Sequence, residues 1–222
     1  MQIRYLGHAA FLLTTEGGLR LITDPYEPGA FGGAIGFGAI PDEADIVTVS
    51  HAHVDHGDVA SLSGRPVAYR EPGQFQVDGI TLKGVATYHD TTRGQERGPN
   101  IVWVVGAEGL QVCHLGDLGA VLEAGEVRSV GPVDVLLVPV GGTFTIDAAG
   151  ARRVAGLLKP RLVIPMHYRT PKVKLDLDPV DTFLQAMRGE RVVRQEAGSD
   201  LHITSGNLPK EPGEVVVLSP AL

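Results

Sequence analysis

SHAHVDHGD, residues 50–58, packs three of the chain's eight histidines and two aspartates into nine residues, directly after the apolar run DIVTVS that ends at Ser50. In a helix, His51 and His53 would project about 200° apart around the axis and could not share an ion. In an extended segment, residues two apart point the same way. The pair therefore works only where the preceding strand runs out. Asp55 and His56 follow at once, and adjacent residues entering a turn diverge, so they can face a second ion. Two-metal hydrolytic sites hold their ions roughly 3.5 to 4 Å apart.

Three further residues stand in the same kind of place. His89 ends the run GITLKGVATY, Asp117 follows LQVCHL in HLGD, and His167 follows RLVIPM in PMHY. Each lies where an apolar strand gives way to loop, the sheet edge at which ligands bind. Nitrogen and oxygen donors without thiolate suit zinc and also permit manganese or iron. His114, on the strand LQVCHL, competes with His89 for the third position beside His51 and His53; the strand-end position favours His89. His8 follows Gly7 between two early strands, where it either borders the pocket or caps a turn. Asp24, before Pro25, is read as orienting a ligand histidine from behind, against an Asx-type turn. Gly141 and Gly142 either let backbone approach the centre or make a plain turn. His202, between Leu201 and Ile203, alternates outward on a strand and faces solvent. Arg93 and Arg97 after His89, with Arg169, Lys172 and Lys174 after His167, would form a basic rim if both loops border the pocket.

The rest of the chain sets the scaffold. At 222 residues and 43% hydrophobic, it can bury one large core, and residues 1–222 are read as a single domain. A formal net charge of −7 with no block of like charge argues against broad binding to nucleic acid or anionic membrane. Cys113 is the single cysteine, so no internal disulfide is available. MQIRYLGHAAFLL reads as a first strand and not a signal peptide. No apolar run approaches the roughly 20 residues that span a bilayer. A soluble cytoplasmic protein is the expectation.

Strands are expected at IRYL (3–6), AFLLTT (10–15), LRLITD (19–24), DIVTVS (45–50), PVAY (66–69), GITLKGVATY (79–88), NIVWVV (100–105), LQVCHL (110–115), VDVLLVPV (133–140) and RLVIPM (161–166). Glu16-Gly17-Gly18 marks a hairpin, and PGAFGGAIGFGAIP (28–41) a functional or mobile loop. Helices are expected over 145–158, with Thr145 as N-cap and Lys159-Pro160 as the stop, and over 179–188, ending at Gly189. GEVVVL (213–218) adds a short strand of unassigned place. Strands early and strand–helix alternation later give an α/β fold, sheets with helices on their outer faces.

His51-Ala-His53-Val-Asp55-His56 with its separate downstream His, Asp and His resembles the metallo-β-lactamase superfamily over about residues 3–170. YLGHAAF (5–11), TDP (23–25), HLGD (114–117), GGTFTID (141–147) and IPMHY (164–168) look most like its small stand-alone metal-dependent hydrolases, related to the ascorbate-phosphate lactonases. The resemblance implies a four-layer αβ/βα sandwich. It implies His51, His53 and His89 on one metal, Asp55, His56 and His167 on the other, and Asp117 bridging both.

Two divalent ions, less two carboxylates and a bridging hydroxide, leave a centre of about +1 that attracts an anionic or strongly polarised group. The expected activity is that of a dinuclear, zinc-dependent hydrolase whose metal-bridging hydroxide attacks a small ester-type substrate, a phosphodiester or a lactone, with Asp55 orienting the water and relaying its proton. A di-iron oxidoreductase of the same fold is the first rival; that branch usually carries a glutamate where this chain has His53, and works with a flavin module for which 222 residues leave no room. A metal-stabilised binding protein without turnover is the second, disfavoured by the full set of seven ligands. The related tRNA-maturing nucleases share the first motif, but no basic arm is evident here. Oligomeric state is left open.

Overall fold

Branched and aromatic runs settle on pleated surfaces, where both faces of a strand can be covered. In this chain they make two sheets. The computed structural model describes residues 1–210 and 213–222. The first sheet takes β1 (Gln2–Gly7), β2 (Ala10–Thr14), β3 (Arg20–Thr23), β4 (Ile46–Thr48), β5 (Val67–Tyr69) and β13 (Asp200–His202), in the order β13-β1-β2-β3-β4-β5. The second takes β6 (Gly73–Val77), β7 (Ile80–Tyr88), β8 (Pro99–Ala107), β9 (Leu110–His114), β10 (Val135–Pro139), β11 (Leu162–Met166), β12 (Val192–Gln195) and β14 (Glu214–Val217), in the order β12-β14-β11-β10-β9-β8-β7-β6. Helices α1 (Ala30–Gly33), α2 (Ala124–Val130), α3 (Ala148–Leu158) and α4 (Val180–Ala186) complete the described elements.

Period-2 alternation divides the core. On β10, Val135 and Leu137 face the other sheet, while Leu136 and Val138 face the helices. Phe11 and Leu13 of β2, Ile46 of β4 and Trp103 of β8 meet in the layer between the sheets. Behind the larger sheet, Val102, Val104 and Val163 pack on Ala151, Val154 and Leu158 of α3 and on Phe183 and Met187 at α4. Behind the smaller sheet, Leu12, Ile22 and Val47 are covered by Tyr26, Ile35, Phe37 and Ile40. The expected four layers are present, and the fourth consists mainly of irregular chain from the glycine-rich segment.

Several boundaries shift for local reasons. Asp147, not Thr145, caps α3: its carboxylate accepts the Gly150 N–H at 2.7 Å, whereas the Thr145 hydroxyl bonds the Ile146 carbonyl at 3.1 Å. Helix α4 ends at Ala186, ahead of Gly189, whose φ is +83°. Helix α2 was not expected, although Glu123 and Glu126 form a reciprocal capping box. Strands β6 and β12 were also missed. Strand β14 pairs in parallel with both β11 and β12, which places the tail segment inside the larger sheet.

The topology fixes where polar residues collect. Strands β1 and β3 both pair antiparallel with β2, and β4 runs parallel to β3. Likewise β7 and β9 flank β8 antiparallel, while β10 and β11 run parallel to β9. The C-terminal ends of β1, β3 and β4 in one sheet, and of β7, β9 and β11 in the other, are each followed by a histidine or aspartate of the site.

Candidate metal centre

Six strand ends deliver the polar groups. His8 follows β1, Asp24 follows β3, residues 51–56 follow β4, His89 follows β7, Asp117 follows β9, and His167 follows β11. His8, Asp24 and His167 turn the chain with φ of +54°, +40° and +51°, a region that residues other than glycine seldom occupy. Such strain persists only where surrounding structure holds it. His8 supplies one hold: its carbonyl accepts both the Tyr5 hydroxyl and the His167 N–H, each at 2.9 Å. Two glycines permit close approach. A Cβ on Gly119 would stand 2.2 Å from Asp90 N, and one on Gly141 would stand 2.3 Å from the His167 carbonyl oxygen.

Donor atoms gather in three groups whose members lie within 4.8 Å of one another: His51, His53 and His89; His8, Asp55, His56 and His167; and Asp24, His51 and His56. Asp117 lies between the first two. Its Oδ2 is 3.2 Å from His56 Nε2, 3.3 Å from His89 Nε2, 3.4 Å from His167 Nε2 and 3.9 Å from His51 Nε2. His89, not His114, therefore stands with His51 and His53. His114 is buried on β9, with Nε2 2.8 Å from the Ala9 carbonyl and Nδ1 accepting the Gly116 N–H. His8 joins the second group, with Nε2 3.0 Å from Asp55 Oδ2. Sequence alone allows this residue either a pocket or a turn position. His202 is exposed on the edge strand β13.

Behind the donors runs a supporting network. Asp24 Oδ2 sits 2.9 Å from His56 Nδ1 and accepts the Ser50 hydroxyl, while Asp24 Oδ1 accepts the Ser50 N–H at 2.7 Å. Ser50 Oγ in turn lies 2.9 Å from His51 Nδ1. Buried Asn100 accepts the Asp117 N–H and donates to the Leu115 carbonyl and Thr87 Oγ1, bracing the loop after β9. Asp24 thus touches a ring nitrogen turned away from the centre, as a partner that fixes a ligand histidine does. Ser50 and Asn100 escape a sequence reading because Asp24, Thr87, Leu115 and Asp117, which they bond, are 13 to 26 residues away in the chain.

Electrostatics divide the histidines. Burial, reinforced by His167, pushes the His8 imidazole down to about 4, and burial with His56 pushes His51 down to about 3. Neutral rings offer lone pairs. Burial also opposes charge on His56, but Asp117 and Asp55 outweigh it and raise that imidazole well above its ordinary value. Burial likewise opposes ionisation of Asp117, yet His167 and His56 hold it well below the usual carboxylate range. Two buried atoms at the focus, His56 Nε2 and Asp117 Oδ1, have no hydrogen-bond partner. Orphaned polar atoms in a dry site are costly unless something binds them, so these residues fit divalent cations. Cys113 belongs to the helix-side core and takes no part.

The centre floors a pocket of about 420 Å³ that includes His53, Asp55, His89 and Asp117. Of the expected basic rim, Arg97 alone lines it. Arg93 turns outward to Glu123 at 3.9 Å, because the loop after β7 curls back on itself. Arg169, Lys172 and Lys174 do not line this pocket, since their loop crosses to the glycine-rich segment, with Gly36 N–H on the Lys172 carbonyl and Lys174 N–H on the Ala34 carbonyl.

The profile of the β-lactamase superfamily domain matches residues 2–167. A UPF0173 metal-dependent hydrolase from Carboxydothermus hydrogenoformans is 32% identical, over 98% of this chain and all of the relative. Another from Thermococcus onnurineus is 31% identical, over 79% of this chain and 88% of the relative. A crystal structure from Thermotoga maritima, described as a proposed Zn-dependent hydrolase of the metallo-β-lactamase superfamily, superposes with a TM-score of 0.79 at 40% identity, covering 98% of this chain and 97% of its own. The chain belongs to the metallo-β-lactamase superfamily and, with these relatives, to its metal-dependent hydrolases.

Proposed function

We propose that residues 1–222 form one domain carrying a dinuclear, zinc-loaded centre that hydrolyses a small ester-type substrate, a phosphodiester or a lactone. One observation carries the reading: a single carboxylate oxygen, Asp117 Oδ2, within 3.9 Å of histidine nitrogens from both donor groups. His51, His53 and His89 would hold one ion, Asp55, His56 and His167 the other, and Asp117 both. Bound there, two divalent ions lower the pKa of water toward neutrality and polarise the scissile group. Asp55 orients the attacking water and passes on its proton, with His8 Nε2 3.0 Å behind its Oδ2. Asp24 keeps His56 in one tautomer. Zinc is favoured by the nitrogen and oxygen donors and by the name of the Thermotoga relative.

Elemental analysis of the purified protein tests the centre. The expected result is two zinc ions per chain, reduced in His53→Ala and Asp117→Ala and unchanged in His202→Ala. Full metal content in both first-named variants overturns the ligand set, and two irons with a redox-active spectrum overturn the hydrolase. A panel of phosphodiesters, lactones and thioesters then identifies the reaction; no turnover of any by the loaded protein contradicts it.

A further inference from the structure

The walls above the centre differ from its floor. Phe31, Phe144 and Leu175 are apolar, and Arg97 is their single cation. Arg97 is placed with care for an exposed residue. Its backbone N–H is held at 2.8 Å by Asp90, next to His89, and its guanidinium carbon lies 4.7 Å above the centroid of the Phe144 ring. Among the described residues it forms no ion pair, whereas its neighbour Arg93 does. A guanidinium stacked by its face keeps its N–H edge free, the edge that grips a carboxylate or phosphate with two parallel bonds.

Phe31 is the second unexplained feature. The residue is 53% exposed, and its backbone sits at φ +54° between Ala30 and Gly32. Exposing an aromatic ring and holding a left-handed backbone both cost free energy. Phe31 lines the same pocket as His53, His89 and His167. An aromatic held at a pocket mouth offers a flat apolar surface to whatever enters.

We infer that this pocket selects substrates carrying an anionic substituent, separated from the scissile group by an apolar body: the body rests on Phe31, Phe144 and Leu175 while Arg97 receives the anion. The inference rests on the hydrolytic reading for the position of the scissile group and extends it to substrate class. A volume of about 420 Å³ suits a small molecule. In a chain of formal charge −7, an anion has little other attraction at this mouth once the metals are engaged elsewhere.

Binding of 3-phenylpropanoate and of the neutral 3-phenylpropanamide to the metal-replete protein, measured by calorimetry, tests this without turnover. The expected result is that the acid binds tenfold or more tightly than the amide, that Arg97→Gln brings the two within threefold, that Arg97→Lys restores part of the preference, and that Phe31→Ala weakens both fivefold or more. An acid preference unchanged in Arg97→Gln means the carboxylate sits on the metals and overturns the subsite. Equal binding of acid and amide by the wild type overturns it as well, as does an unaltered affinity of both in Phe31→Ala. Failure of the hydrolase reading looks different: the selectivity holds while no ester or phosphodiester is turned over.

Discussion

Individual side chains carry most of the consequences. Asp24 touches no substrate, yet it spans Ser50 and His56. Asp24→Ala is expected to weaken metal binding about 10- to 100-fold, read by competition with a chromogenic chelator, with the fold retained by circular dichroism. His8 and His51 set a pH dependence. Their folded values, about 4 and about 3, lie below the ordinary 6.5, so between these limits the unfolded chain binds more protons than the native one. Metal-free protein therefore loses stability as pH falls from 6.5 toward 4, by up to ~1.4 kcal/mol per pH unit for each such ring. Urea midpoints of chelator-treated protein across that range measure the slope, which His8→Asn should make shallower. His56, raised well above 6.5, contributes its slope on the alkaline side, where its stabilisation is lost as pH climbs through the folded value. In the sequence, the cluster at 51–56 was legible because its donors are neighbours; His8 could be read only as pocket or turn, because its partner Asp55 lies 47 residues away.

At the level of elements, the loop after β7 is the part most directly testable. Asp90 accepts the N–H groups of Thr92, Gly94, Glu96 and Arg97 at 2.7–3.0 Å, together with the Thr92 hydroxyl. Burial opposes its charge, but these donors hold the carboxyl below the usual carboxylate range. Because the folded value is depressed, the fastening is complete above the ordinary value of 3.8 and is lost only as pH falls through a lower one. Hydrogen exchange at pH 5 should find the Gly94, Glu96 and Arg97 amides protected in the wild type and open in Asp90→Asn. Gly119→Ala attacks the same loop from behind, since its methyl would meet Asp90 backbone; a loss of about 1–3 kcal/mol with reduced metal content is expected in thermal melts and elemental analysis. Elements buried on both faces, such as β10 and β11, announced themselves as continuous apolar runs. Strand β12 did not, because all four of its residues are exposed at a sheet edge. The turn holding Phe31 was equally hidden, since glycines advertise freedom without saying which conformation is chosen.

For the molecule as a whole, the centre and the core are coupled through Trp103. It is fully buried between the sheets, and its indole N–H donates to the Val49 carbonyl at 3.0 Å, two residues before His51. Trp103→Phe keeps most of the packing but orphans that carbonyl, so a loss of about 1–3 kcal/mol is expected in urea melts. Ligand that binds only the native state stabilises it by mass action, so the melting temperature should climb with added zinc and fall with chelator. No helix among the described residues is long and apolar enough to cross a membrane. The layered plan was readable from strand order and apolar runs; the covering of the smaller sheet was not, because irregular chain and not an amphipathic helix provides it. Neither of the two donor groups flanking Asp117 is complete on one sheet. His51 and His53 stand on the smaller and His89 on the larger, just as His8, Asp55 and His56 stand on the smaller and His167 on the larger. A cation in either group would thus be a rivet through the seam, and stripping both would let the two halves gape along that rim while their far margins stayed shut.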